Sequence, residues 1–398
     1  MTKNLFKYTL VILAFATLFI TSCGKDDDTT TGNSISYDLN EISDSDISGD
    51  IEFVELENGK IQAEISLSGT TDGNSHPSHI HMNSAALGGD IIVSLTPVAG
   101  ATGSSVTIFD QDDNGTALTF AQIDNLDAYV NIHKSADELN IIVAQGDIGT
   151  NTLTGESKTY DLGERAIEGI SGSITFKERK NGNALAEIDL DGTPDGGVHP
   201  AHVHMNSAAE SGGILISLTA VDGTSGTSVT DIRATDEGEA FDYNDLLTVN
   251  AYVNVHLSAS ELAIIVAQGD IGNNELTGES ETFDLSEKDA PGISGEIKFE
   301  ERKDGTILAT IELEGTPDGG IHPAHIHEND AATGGPIAVS FNPVDGTTGR
   351  SVTSIRELDD GTAMNYQLLK SFDGYVNVHL SATELSTIVA QGNIGINN

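Results

Sequence analysis

The 398-residue chain carries 62 acidic against 18 basic residues, a formal net charge of −44. So negative a surface repels nucleic acid and anionic lipid headgroups, which makes both poor partners. One cysteine precludes an internal disulfide, and the absence of tryptophan, with few aromatics, argues against a carbohydrate-binding platform.

The chain opens with Lys3 and Lys7, an apolar run from Tyr8 to Ile20, and then Thr21-Ser22-Cys23. A basic start, a short apolar core and small residues at the end are the pattern of a secretory signal. The run is shorter than the ~20 residues that span a bilayer. The segment resembles a bacterial lipoprotein signal, which implies removal of residues 1–22 and lipidation of Cys23. Gly24-Lys25-Asp26-Asp27-Asp28 resembles the surface-export signal of Bacteroidetes lipoproteins. The resemblance implies an outer-membrane lipoprotein exposed on the cell surface, with residues 23–34 as a flexible acidic linker.

After the linker the chain repeats itself at a spacing of 123 residues. Tyr37-Asp38-Leu39 returns as Tyr160-Asp161-Leu162 and Phe283-Asp284-Leu285. His76-Pro77-Ser78-His79-Ile80-His81 returns at His199–His204 and His322–His327, and Tyr129–His133 returns at Tyr252–His256 and Tyr375–His379. A unit of this length is a whole domain rather than a solenoid repeat. The copies are placed at 35–157, 158–280 and 281–398, with Leu-Thr-Gly-Glu-Ser closing the first two.

Within the second copy, Gly172–Arg179 and Ala184–Leu190 alternate in character around Asn181-Gly182, a hairpin turn signal. Further strands are expected at Gly213–Ala220, Ser228–Ala234, Ala251–Leu257 and Ile264–Gly269, with a short helical turn at Ser258–Glu261, where the spacing suits a capping box. The same spacing stands at Ser135/Glu138 and Ser381/Glu384. About seven short antiparallel strands per copy predict an all-β chain of three tandem Greek-key sandwiches or barrels.

All 12 histidines fall in two motifs, four per copy. Residues two apart on a strand share a face. His79 and His81 therefore point one way and Ile80 into the core; Tyr129, Asn131 and His133 likewise share a face. A His-x-His pair plus a distant His suits zinc or copper. The candidate ligands are His79, His81 and His133; His202, His204 and His256; and His325, His327 and His379. His76, His199 and His322 stand as a possible fourth in each copy. Asn131, Asn254 and Asn377, or a nearby backbone carbonyl, would hold a ligand ring by its second nitrogen. The alternative is a row of polar surface histidines inherited through duplication. Calcium is the weaker idea: Asp110-Gln-Asp112-Asp-Asn114-Gly115 starts like a calcium loop, but Ala121 stands where the closing Glu belongs. A turn between strands is the plainer reading. No nucleophile elbow, phosphate loop or cysteine nucleophile is present, so no catalytic residue is assigned.

The upstream His-x-His with its Gly-Gly and apolar strand, together with Tyr-Val-Asn-Val-His at 252–256 and 375–379, resembles the CHRD domain of secreted proteins. The likeness covers most of each copy and implies an extracellular β domain. It departs at the end, where Ile-Val-Ala-Gln-Gly replaces the family's Gly-Glu-Ile-Arg-Gly. A looser likeness is to copper–zinc superoxide dismutase, a Greek-key barrel whose His-x-His strand holds copper. That family needs more histidines, a metal-binding Asp and a disulfide, so an enzyme is not expected here. Two functions follow: a surface array of metal-binding domains that engages an extracellular ligand or protein, or an adhesion or spacer protein without metal.

Overall fold

The computed structural model describes residues 28–43 and 45–398, so the signal segment and Cys23 lie outside the described residues. The chain divides into two compact units. One takes in residues up to Ser78 with Ser94–Ile123 and His133–Ala144; the other comprises His79–Val93, Asp124–Ile132 and Gln145–Asn398 and holds the second and third copies whole.

In the second copy the elements run β1 (Leu153–Glu164), β2 (Ser171–Arg179), β3 (Ala184–Asp191), β4 (Val198–Met205), β5 (Ile214–Asp222), β6 (Thr227–Ile232), α1 (Tyr243–Thr248), β7 (Asn250–His256) and β8 (Ile265–Gly272). The strands close into an antiparallel barrel in the order β2-β3-β6-β5-β4-β7-β8-β1, a Greek key in which β6, β5 and β4 are inserted between β3 and β7. The first copy follows the same order; in the third the strands matching β4 and β5 are each split in two, so its sheet is open. The expected all-β architecture is therefore present.

Inward residues of every strand meet in one core. Ile174, Phe176, Ile188, Val203, Val253, Val255 and Val266 are all buried, and Tyr160 meets Phe176 edge to face at 6.0 Å. Period-2 alternation buries one face, and the barrel removes the open edges that a flat sheet would leave.

Two sequence expectations shift. The Leu-Thr-Gly-Glu-Ser segment does not close a copy. It is the first half of β1, paired with β2 from Arg179↔Leu153 to Gly172↔Leu162, and its counterpart Leu276–Glu287 opens the third copy. The strand boundary thus falls at residues 150–152 rather than 157, because the polar run pairs with the hairpin that follows it. The helical turn expected at Ser258–Glu261 is instead two consecutive turns, Glu261 N to Ser258 O at 3.0 Å and Ile264 N to Glu261 O at 3.1 Å. Leu257 N bonds Ile264 O, which closes the β7–β8 connection too tightly for a helix. The helix stands before β7, where Asp242 and Asp245 form a reciprocal capping box.

Candidate metal centre

On β4 the side chains of His199, Ala201 and Val203 face the core, and His202 and His204 face outward. On β7, Ala251, Val253 and Val255 face the core, and Tyr252, Asn254 and His256 face outward. The pairing sets His202 opposite Asn254 and His204 opposite Tyr252, with His256 two residues further along. His202, His204 and His256 therefore converge on one patch of the outer wall. Their ring centroids lie 5.7, 5.1 and 6.2 Å apart, and one donor nitrogen from each falls within 4.8 Å of the others. His325, His327 and His379 repeat this at 5.9, 5.1 and 6.3 Å.

Two rings are fixed by backbone. His204 Nδ1 donates to the Gly212 carbonyl at 3.0 Å, and His256 Nδ1 donates to the Leu262 carbonyl at 2.6 Å. A ring nitrogen facing a carbonyl must carry a proton, so in the neutral ring Nε2 is the atom that offers a lone pair. The Nε2 atoms of His204 and His256 and the Nδ1 atom of His202 are buried and have no hydrogen-bond partner. Leaving a buried polar atom unsatisfied costs about 1–3 kcal/mol. Three such atoms facing one another are what a metal ion would satisfy, and the donor set fits zinc or copper.

The surroundings disfavour the charged form of His202 and His256. Burial pushes the His202 pKa down, and the neighbouring His256 and His204 push it further. Burial also lowers His256, against the opposing Leu262 carbonyl. His325 and His379 are lowered by burial in the same way. Neutral imidazole is the form that binds metal. Tyr252 stacks on His204 at 5.0 Å and its hydroxyl accepts Gly212 N at 3.2 Å, so one residue supports both ring and loop.

Gly212 is required where it stands. A Cβ there would sit 1.9 Å from the Met205 carbonyl oxygen, so only glycine brings this carbonyl onto His204. A Cβ at Gly89 or Gly335 would likewise sit 2.2 or 2.0 Å from the corresponding carbonyl oxygen of Met82 or Glu328. In the first copy His79 and His81 stand edge to face at 5.8 Å, His81 Nδ1 donates to Gly89 O at 3.0 Å and Tyr129 stacks on His81. His133 Nδ1 donates to Leu139 O at 2.6 Å.

His76, His199 and His322 are not fourth ligands. An odd step of three from the ligand His turns them to the inner face, where each is almost fully buried. His199 Nδ1 donates to His256 O at 3.2 Å, and His76 and His322 make the same bond to His133 O and His379 O. They tie the start of one ligand strand to the end of the other.

The asparagines do not hold the rings. Asn254 Oδ1 accepts Gln268 Nε2 at 2.8 Å across β7 and β8, and Asn131/Gln145 and Asn377/Gln391 repeat the pair. Backbone carbonyls fill the orienting role, as the other branch of the expectation allowed. The Gln partner stands in Ile-Val-Ala-Gln-Gly, where the sequence alone assigns it no role.

The calcium-like acids form a turn. Asp112 Oδ1 accepts the amides of Asn114 and Thr116 at 2.9 and 2.7 Å. Asp113, Asp236 and Asp359 keep frame across the copies. Asp236 accepts Ser217 N at 2.8 Å, and Ser217 pairs with His202, so the hairpin is anchored beside a ligand.

Among known proteins, residues 151–261 match the CHRD domain family. The chain is also similar to cell surface superoxide dismutase [Cu-Zn] 4 of Candida albicans, 40% identical over 76 residues. That stretch covers 17% of this chain and 31% of the relative, so the chain spans about a third of the relative's length. No solved structure matches. The second copy thus matches the CHRD domain over most of its length, and its outward-facing residues bring together a histidine triad whose donor set could hold a metal.

Proposed function

We propose that this protein is a cell-surface lipoprotein whose three copies each bind one transition-metal ion through a histidine triad. The observation that carries the reading is the convergence of three buried, unpartnered ring nitrogens, two of them on rings locked by backbone carbonyls. An all-imidazole set suits copper and zinc, and divalent copper binds such sites more tightly than zinc. Similarity to a protein named for both metals supports the same pair. Cys23 would hold the array at the outer membrane, with the acidic surface favouring extracellular cations over nucleic acid.

Metal titration of the full mature chain, made soluble by Cys23→Ser, tests this. Three equivalents of copper or zinc are expected, and none after His81, His204 and His327 are replaced by Ala. A parent chain that binds neither metal would leave an adhesion or spacer protein. Export is tested separately: Cys23→Ala should release the protein from the membrane fraction, and retention would refute the anchor.

The relative's name favours a second reading, copper-dependent superoxide dismutation. His202 and His204 remain partly exposed, which leaves the outward side of a bound ion reachable. Superoxide consumption by the copper-loaded chain, compared with the triple Ala variant, decides it.

A further inference from the structure

In the second copy, residues 206–213 carry Gly212, whose carbonyl orients His204. The same loop is held from its other side by the third copy. Ala208 N donates to Asp270 Oδ1 at 2.8 Å, while Asp270 Oδ2 accepts Arg302 Nη2 at 2.8 Å. Arg302 belongs to the third copy, its side chain is fully buried, and its Nη1 is fixed by Ser354 Oγ at 2.7 Å. Arg356 Nη2 reaches Glu210 Oε1 at 2.5 Å, and Asn342 Nδ2 reaches Ala209 O at 3.4 Å. One short loop thus has a metal ligand on one side and the following copy on the other.

We infer that Asp270 and Arg302 are positioning residues, through which docking of the third copy sets the metal affinity of the second. This rests on the metal reading above. The first junction repeats the device: Ala85 N donates to Asp147 Oδ1 at 2.8 Å, and Arg179 Nη1 donates to Asp147 Oδ2 at 2.6 Å. Ser84 Oγ also donates to Asp231 of the second copy, and Gly89 of the same loop orients His81. The third copy lacks the charged link. Asn393 stands in place of the Asp and accepts Ala331 N at 2.9 Å, and its amide donates to Asn397 O within the same copy. Leu56 stands where the later copies have Arg179 and Arg302. The Arg and the Asp occur where two described copies meet; Leu56 replaces the Arg in the first copy and Asn393 the Asp in the third.

Because coupling between sites is reciprocal, metal on His204 also stiffens the loop against the third copy. The test uses the full chain with only the second triad intact (His79, His81, His325 and His327→Ala), titrated with copper and zinc. Arg302→Met should weaken binding by about 3–10-fold and shift the copper EPR parameters, since orienting partners tune a site from a distance. Arg302→Lys should recover most of the loss. In a chain keeping only the third triad, Arg302→Met should change affinity less than twofold. Unchanged affinity at the second site, or equal loss at both, overturns the inference while leaving metal binding intact. A single-site chain that binds no metal overturns both. Should Arg302→Met fail to fold, Arg356→Gln on the exposed edge of the grip should show the same direction, and no change there is equally fatal.

Discussion

Replacing Gly212 by Ala should damage the second metal site without touching a ligand. The new Cβ would lie 1.9 Å from Met205 O, against an ordinary contact that begins near 3.4 Å. One backbone or the other must therefore move by the difference, about 1.5 Å. The bond from His204 Nδ1 to Gly212 O is 3.0 Å long and does not survive a displacement of that size. Loss of such an orienting partner lowers metal affinity by roughly 10–100-fold, or about 1.4–2.7 kcal/mol. Gly213→Ala is the control, because its Cβ would meet only the flexible end of Met205, Cε at 3.3 Å. The assay is competition with a chelator of known affinity, on the full chain with only the second triad intact. Thermal unfolding run beside it separates local from global damage. Affinity of Gly212→Ala within twofold of the parent would refute the reasoning, and so would an equal loss in Gly213→Ala.

Three further outcomes are expected. His199→Leu should leave metal stoichiometry unchanged and destabilise the second copy by about 1–3 kcal/mol, because the His256 carbonyl loses a buried donor; lost stoichiometry in a folded variant would return His199 to the ligand set. Asn254→Ala should lower stability by about 1 kcal/mol through the broken pair with Gln268, with metal affinity within twofold; a large affinity loss without unfolding would show that the asparagine does hold a ring. Acidification should loosen the triads. His202, His256, His325 and His379 have lowered pKa values in the fold, so the unfolded chain, near the ordinary ~6.5, takes up protons first. Stability from these rings is full above that value and is lost as pH falls through the folded ones, more steeply with metal bound. Protonation of the many carboxylates relieves repulsion in the opposite direction. The readout is therefore the difference in melting temperature between the parent and His202→Ala/His325→Ala at pH 7.5 and 5.5, and a difference that grows on acidification would contradict the sign.

What the sequence shows and what it hides divides along a physical line. Alternation on a strand is a local rule, so the outward direction of His202 and His204 and the inward direction of Val203 are readable from spacing alone. The same rule, applied to the step of three from His199 to His202, sends His199 inward. The orienting partners are different. Gly212 and Leu262 act through carbonyl oxygens that every residue possesses, so the only trace in sequence is the glycine needed for close approach. On its own strand Asn254 shares a face with His256 and suggests a partner for the ring, whereas pairing across to β8 sets Gln268 directly opposite it. The junctions were legible in another way. Copies that share landmarks at a fixed spacing should differ where their surroundings differ, and they do: Leu56 against Arg179 and Arg302, Asn393 against Asp147 and Asp270. A buried arginine is tolerable only beside a fixed acid, since a lone charge in the interior is far more costly than a lone leucine. The two substitutions therefore belong together. Each replaces one half of a pair to which no described copy supplies the other half, as expected of charges retained for contact between copies rather than for the barrel itself.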